Sequence, residues 1–368
     1  MTRHATIVGA GVAGLATACA LARRGWSVDV LEQAPALTQV GAGLQIAPNG
    51  LRVLDALGLD VDHLPQGRAV TLRDGPSGRA VLRMALGARA WRMTHRADLI
   101  DILAAGAEAA GARLHLGRTA TVAQGITIAA DGLHSRFRSG LNGPDAPTFS
   151  GHVAWRATIP GDDGPPEAEV FMGPGRHLVT YPLRGGALRN IVAVEERGTW
   201  AAESWSARDA SGDLQRAFAG FCPRVRAWLD PVAEPYLWGL FLHPVAARWH
   251  GDGVFLAGDA AHPTLPFMAQ GANMALEDAW VLAACLDGLP PDRAGGTYQA
   301  LRAQRCRRIV AVAAANARNY HLGGAMRLAA QAALRLAGRI APEAPLRRYD
   351  WIYDYDAVQA ASSIQTGT

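Results

Sequence analysis

The chain contains no lysine. All 36 of its basic residues are arginine, set against 32 acidic residues, for a formal net charge of +4 and a pI near 9.1. The arginines are dispersed, and no run of five or six like charges occurs. A nucleic-acid surface needs such clustering, so no nucleic-acid partner is expected. Cysteine is scarce. Cys19, Cys222, Cys285 and Cys306 form no C-x-x-C pair and have no histidine cluster near them in sequence. Neither a disulfide framework nor a metal site is expected, and free thiols suit a reducing compartment. Charged residues reach only 18%, below the roughly 25% of an average soluble protein, which argues against a highly solvated chain. No uninterrupted apolar run approaches about 18 residues, so stable membrane insertion is not expected. No charged leader precedes the first apolar run, and a cytoplasmic location is expected.

Apolar residues make up 49% of the 368, enough for a large core and for two domains. The chain opens as strand, helix, strand. Ala5–Val8 is a short apolar run, Gly9–Gly14 a glycine loop, and Leu15–Arg24 a stretch of good helix formers stopped by Gly25. Ser27–Leu31 is the next strand. A βαβ unit of this kind implies a doubly wound parallel sheet. A second helix is predicted over 96–110 and a strand over 113–116.

Between 150 and 200 the pattern changes. Residues 152–159, 168–171, 177–183 and 189–195 read as strands separated by Gly/Pro turns, with no helices between them. That predicts an antiparallel sheet and a second domain. A buried strand at 253–257 and a helix at 271–286 return to the first. The expected layout is α/β: a discontinuous Rossmann-like cofactor domain (1–66, 91–150, 250–290), an antiparallel-sheet substrate domain (67–90, 151–249), and a C-terminal helical region (291–368). The last contains a helix over 323–340 with Arg327, Arg335 and Arg339 on an Ala/Leu background. Its basic amphipathic pattern suits packing or a membrane surface.

Gly9, Gly11 and Gly14 fit G-x-G-x-x-G. The first glycine permits the tight turn, the second lets the backbone approach a pyrophosphate, and the third allows close helix–strand packing. The phosphates would sit on free N–H groups at the helix start. Glu32 follows 18 residues after Gly14, where a carboxylate can hydrogen-bond an adenosine ribose. This much predicts a dinucleotide and leaves FAD and NAD both open.

Two later motifs favour FAD. One is Ala130-Asp131-Gly132 running into Leu133–Arg138; the other is Gly258-Asp259-Ala260-Ala261-His262-Pro263. With the glycine loop and Glu32, they resemble the class A flavoprotein monooxygenases, in particular the salicylate, 3-hydroxybenzoate and 6-hydroxynicotinate hydroxylase branch. Gly41–Asn49, Arg96-Ala97-Asp98-Leu99, Tyr181-Pro182-Leu183-Arg184, Gly258–Asp278 and Tyr349–Asp356 carry the same likeness.

The resemblance implies a cofactor, a reaction and a set of site residues. Asp259 would hydrogen-bond the ribityl chain of FAD, Arg96 would neutralise its pyrophosphate, and Asp131 and Gly132 would serve FAD and the nicotinamide donor. The helix starting near Gly271–Asn273 would aim N–H groups at the charge of reduced flavin, with Gly271 keeping the backbone close. NADH or NADPH would reduce FAD, and O2 would form a C4a-hydroperoxide that hydroxylates a small phenolic or carboxylated aromatic. Epoxidation, oxidation of a polycyclic natural product, or a degenerate non-catalytic flavoprotein are the alternatives. The last is prompted by the short link from Leu116 to Asp131, where related chains carry a longer excursion. Tyr181, His243, Pro266 and Gln270 are the candidates for the ring pocket, with His243 the ready base near neutral pH. His262 reads as structural. A monomer or homodimer is expected.

Overall fold

A computed structural model describes residues 3–37, 43–87, 89, 91–120, 122–123, 125–144, 146–162, 164–200, 209, 212–341 and 343–365. Gly41 and Ala42 of the Gly41–Asn49 stretch lie outside these residues.

The chain begins β1 (His4–Val8), α1 (Val12–Ala22), β2 (Ser27–Glu32), β3 (Gly43–Ile46) and α2 (Pro48–Ala56). Then come β4 (Gln66–Gly67), β5 (Ala69–Asp74), β6 (Ala80–Ala85), β7 (Trp91–His95), α3 (Arg96–Ala109), β8 (Arg113–Leu116), β9 (Ile126–Ala129) and α4 (Arg136–Asn142). Four long strands follow: β10 (Thr148–Pro160), β11 (Glu167–Gly173), β12 (Arg176–Leu183) and β13 (Leu188–Glu196). After α5 (Asp213–Ala217), α6 (Pro223–Leu229), β14 (Tyr236–Leu242), β15 (His250–Gly251) and β16 (Val254–Leu256), the chain closes with helices. The long ones are α7 (Gly271–Gly288), α8 (Pro291–Tyr320) and α9 (Gly324–Ile340).

The first sheet has the order β15-β16-β9-β1-β2-β8 and is parallel except for its β15 edge. Every residue of α1 is buried, because it packs between this sheet and the helices α3 and α7. An all-round apolar Ala/Leu composition fits a helix with no solvent face. Only 14 residues separate Leu116 from Asp131, yet β9 pairs in register with both β1 and β16. The short link therefore leaves the sheet complete.

The second sheet has the order β14-β10-β13-β12-β11-β5-β6. It is antiparallel apart from one parallel pair, β11 with β5, a departure from the all-antiparallel expectation. Period-two alternation divides its faces. Val153, Trp155, Phe171, Leu178 and Ile191 point outward, onto Phe218, Phe221 and Trp228 around α5 and α6. Ala154, Val194 and Leu240 point inward, onto Leu265, Phe267 and Ala317. The inward face looks toward the Pro266–Met268 turn and α8. Among the described residues no helix is long and apolar enough to cross a membrane.

Candidate flavin and substrate site

The glycine loop is shaped by close backbone contact. Gly9 has φ +101°, and a Cβ there would lie 2.4 Å from the Ala130 carbonyl oxygen. A Cβ on Gly14 would lie 1.9 Å from the Gly9 oxygen. Gly11 differs: a Cβ there meets no protein atom within 4 Å. The first helical bond of α1 runs from the Leu15 N–H to the Gly11 oxygen at 3.0 Å. The N–H groups ahead of it have no helical acceptor, which is the setting for a phosphate. Glu32 is fixed beside this opening, its two oxygens accepting from the Ala10 N–H at 2.8 Å and the Ala34 N–H at 2.9 Å. Each oxygen keeps a lone pair for a ribose hydroxyl.

Asp131 follows β9. Burial raises its carboxyl pKa against hydrogen bonds from Ser135 and the Arg136 backbone. Its Oδ1 is buried without a partner. Ser135 also caps α4, its hydroxyl accepting from the Arg138 N–H at 3.1 Å, which leaves the Oδ1 of Asp131 to a ligand. Gly132, at φ +79°, keeps the adjacent space open. Gly258 is held against α1, where a Cβ would come 2.8 Å from that of Ala13. Asp259 then projects from the turn. It is exposed at its surface but ringed by protein atoms, and this burial raises its pKa, countered by His262, Arg96 and His243. Arg96, exposed at the first position of α3, has no ion pair among the described residues. The charge and lone-pair supply of this half, and the open space at Gly11, fit a dinucleotide carrying two phosphates.

The second half forms where Pro266–Met268 turns into α7. Ala269 takes a left-handed φ of +51°, unusual for a residue with a side chain. The first helical bond runs from Met274 to Gln270, leaving the N–H groups of Gly271, Ala272 and Asn273 without helical acceptors. The Asn273 side chain is committed elsewhere. Its Oδ1 accepts from the Ala47 N–H, and its Nδ2 donates to the Gln45 and Ala269 oxygens, all within 3.0 Å. It pins the helix start to the loop between β3 and α2, and offers a ligand only its backbone. Gln270 accepts from Asn49 at 3.0 Å while its own Nε2 is buried without a partner. Beneath lies a sealed ionic network: Arg302 meets Glu277 and Asp278, Arg305 meets Glu277, and His262 meets Asp278. Asp278 holds the His262 pKa well above its ordinary value despite burial. His262 is thus a buried structural cation.

The sequence-predicted pocket residues do not all converge. Tyr181 lies on the inward face of β12, in the row of Thr158 and Asn190, its ring against Gly43. Burial raises its pKa strongly. His243 lies past the other end of β14, beyond the Thr148–Leu242 pair. At about 3.3 Å per residue the two are roughly 30 Å apart along the strands. His243 is buried and close enough to Asp259 to lower its pKa. Pro266 and Gln270 border the inward face through their neighbour Phe267.

Two residues of that face escaped the sequence reading. Arg156 of β10 lies two rows from Tyr181 and stacks over Trp238 at 4.5 Å. Its Nε is buried without a partner, and no carboxylate pairs with it among the described residues. Burial lowers its pKa to about 10, with Tyr181 opposing and nearby Arg96 adding to the shift, so it is a cation at neutral pH. His177 of β12 is four residues before Tyr181, hence on the same face. It is fully buried, edge-on to Phe267 at 5.4 Å, and burial drives its pKa well below the usual value. The alternation in His177-Leu178-Val179-Thr180-Tyr181 was the available signal.

The FAD binding domain family matches residues 2–145 and 229–313, more than half of the chain. The chain is 33% identical to a 3-amino-4-hydroxybenzoate 2-monooxygenase of Streptomyces platensis over 97% of each chain. It is 34% identical to a 3-hydroxybenzoate 6-hydroxylase of Polaromonas naphthalenivorans (strain CJ2), over 95% of each. A solved salicylate hydroxylase substrate complex superposes with a TM-score of 0.80 at 21% identity, covering 100% of this chain and 98% of that one. Klebsiella pneumoniae HpxO complexed with FAD and uric acid gives 0.79 at 24%, covering 98% of each. These two structures share the fold. With near-complete coverage of the sequence relatives and a cradle suited to the cofactor, the chain belongs to the family of FAD-dependent aromatic monooxygenases.

Proposed function

We propose that the enzyme hydroxylates a small aromatic carboxylate bearing a ring hydroxyl, and that Arg156 holds the carboxylate. The observation that carries this reading is a cation without a protein counter-ion on the face opposite the Pro266–Gln270 turn. An unpaired buried charge costs several kcal/mol, so an anionic ligand is its natural partner. Two further buried donors lack partners: Nδ2 of Asn190, in the row of Tyr181 on the inward face, and Nε2 of Gln270, in the turn before α7. Relatives that are named for 3-amino-4-hydroxybenzoate, 3-hydroxybenzoate and 6-hydroxynicotinate fit this charge.

Arg156 and His177 stand two strands and two rows apart, on the order of 12 Å between Cα atoms. A ring acid held by Arg156 would present its hydroxyl toward His177. Nδ1 of His177 contacts Nε2 of His321 at 2.6 Å, and Nδ1 of His321 contacts Glu196 at 2.8 Å. The carboxylate can only accept, which assigns the hydrogens along this chain and leaves Nε2 of His177 an acceptor. It would take the hydrogen bond of the ring hydroxyl and raise electron density on the ring. FAD, held by the Gly9–Gly14 loop, Glu32, Arg96, Asp131 and Asp259, supplies the oxygen-activating redox chemistry with NADH or NADPH as reductant and O2 as co-substrate. The apolar members of that face, Ala154, Val194, Leu240 and Phe267, would exclude water from the ring. The proposal extends to a cytoplasmic enzyme, monomeric or homodimeric, which light scattering of the purified protein checks.

The test is reductant oxidation under air with matched pairs: hydroxybenzoates and hydroxynicotinates against the same phenols and pyridinols without the carboxylate. The acids should accelerate oxidation and yield a hydroxylated product. Equal turnover of both sets, or of neither, rejects the assignment.

A further inference from the structure

The far end of the inward face carries a cluster that shares His321 and Glu196 with the relay to His177 and adds a third possible ligand, His152. His152 on β10 and Glu196 on β13 are a directly facing cross-strand pair. His321, the residue capping α8, lies over both. One donor atom from each falls within 4.8 Å of the others. His152 is partly buried, Glu196 half-exposed and His321 buried, so the cluster opens to solvent on the glutamate side. Nδ1 of His152 faces the Ser150 hydroxyl at 3.3 Å, leaving its other nitrogen unused. We propose that His152, Glu196 and His321 bind a zinc-like divalent transition cation, with a fourth position left to water.

Two neutral imidazoles and a carboxylate are a donor set that zinc accepts, at about 2.0–2.2 Å per ligand. Burial keeps both imidazoles below their usual pKa, hence unprotonated and ready to ligate. Arg176 is the nearby opposing charge; it is engaged with Glu195 at 3.4 Å. The ligands need to close by less than about 2 Å, within reach of the half-exposed glutamate. His321 also has the outer partner that ligating histidines usually have, since its Nε2 already meets His177. The other histidine–carboxylate–thiol cluster, His262, Asp278 and Cys306, is sealed, and its histidine is cationic and bound to Asp278.

Occupation would reach the substrate side, a consequence that rests on the reading of His177 given above. A cation on Nδ1 of His321 displaces the hydrogen there, which reappears on Nε2. That N–H then donates to Nδ1 of His177, whose own hydrogen moves to Nε2. No proton is gained or lost overall, but His177 changes from acceptor to donor toward a ring hydroxyl. The cation would therefore weaken binding of the hydroxylated acid.

Isothermal titration of the FAD-loaded enzyme with zinc chloride tests the site. One zinc should bind, and Glu196→Gln or His152→Asn should each weaken it by more than about tenfold. His115→Asn, which removes a ring from the exposed His115–Asp29 pair, should leave that affinity unchanged. No binding, or equal binding by Glu196→Gln, overturns the site. Zinc should also raise the dissociation constant of a hydroxybenzoate in the wild type but not in Glu196→Gln. Zinc binding without that change overturns the coupling to His177. Absence of hydroxybenzoate binding before zinc is added speaks instead against the substrate reading.

Discussion

Replacing Arg156 by methionine should move stability and ligand affinity in opposite directions. In the free protein, the guanidinium is partly buried, lacks a carboxylate, and has a pKa lowered to about 10 by burial. Complete desolvation of such an ion costs several kcal/mol; partial exposure reduces that to about 2 kcal/mol. Stacking on Trp238 returns about 0.5–1 kcal/mol. Methionine keeps the apolar stem and loses the charge, so Arg156→Met should stabilise the ligand-free protein by about 1 kcal/mol, or roughly 2 °C in Tm at this chain size. A hydrogen bond to a charged group contributes about 1.5–3 kcal/mol. The dissociation constant of 3-hydroxybenzoate should therefore rise about 10- to 150-fold, while that of phenol stays put. Thermal melts and ligand titrations of the flavin absorbance read both quantities. A variant that melts several degrees lower and binds both ligands equally poorly would show that Arg156 is a structural residue, and the carboxylate assignment would fall.

Gly11→Val should leave the apoprotein melt unchanged, since its Cβ meets nothing within 4 Å, while FAD affinity drops by more than about 100-fold as the side chain fills the phosphate approach; fluorescence titration of free FAD measures it. Gly14→Ala should instead fail to give a stable fold, because its Cβ lies 1.9 Å from the Gly9 oxygen, and a normal circular-dichroism melt would contradict this. Asp278→Asn leaves His262 and Arg302 as buried cations short of a partner and should cost about 3–5 kcal/mol in denaturant unfolding. Burial raises the Asp278 pKa, but His262 and Arg302 bring it below its ordinary value. Its stabilisation is thus present above roughly pH 4 and lost as pH falls through the folded value. The variant should show a shallower fall of stability with acid than the wild type, and identical slopes would refute the linkage.

The cofactor half was legible in the sequence because its requirements are local. A phosphate needs a strand, a tight glycine turn and a helix start in succession, and Gly9, Gly11 and Gly14 spell this out within six residues. The motifs at Asp131 and Asp259 are equally compact, and each begins just past a strand of the same sheet. The strands of the second sheet were also visible from their alternation. What alternation does not reveal is register. Arg156, His177 and Asn190 are brought together only because β10, β13 and β12 pair as they do, and a slip of one residue would turn each to the other face. The place of His243 was hidden for the same reason: a histidine next to an apolar strand gives no sign of which end of the sheet it occupies. Asn273 shows a subtler limit. Its position beside the flavin turn was readable, but its commitment to Gln45, Ala47 and Ala269 depends on a loop more than 200 residues away in sequence. The substrate chemistry was thus hidden by distance along the chain, while its strongest trace, a cation without a counter-ion, becomes visible only once the neighbours that could have neutralised it have been found facing elsewhere.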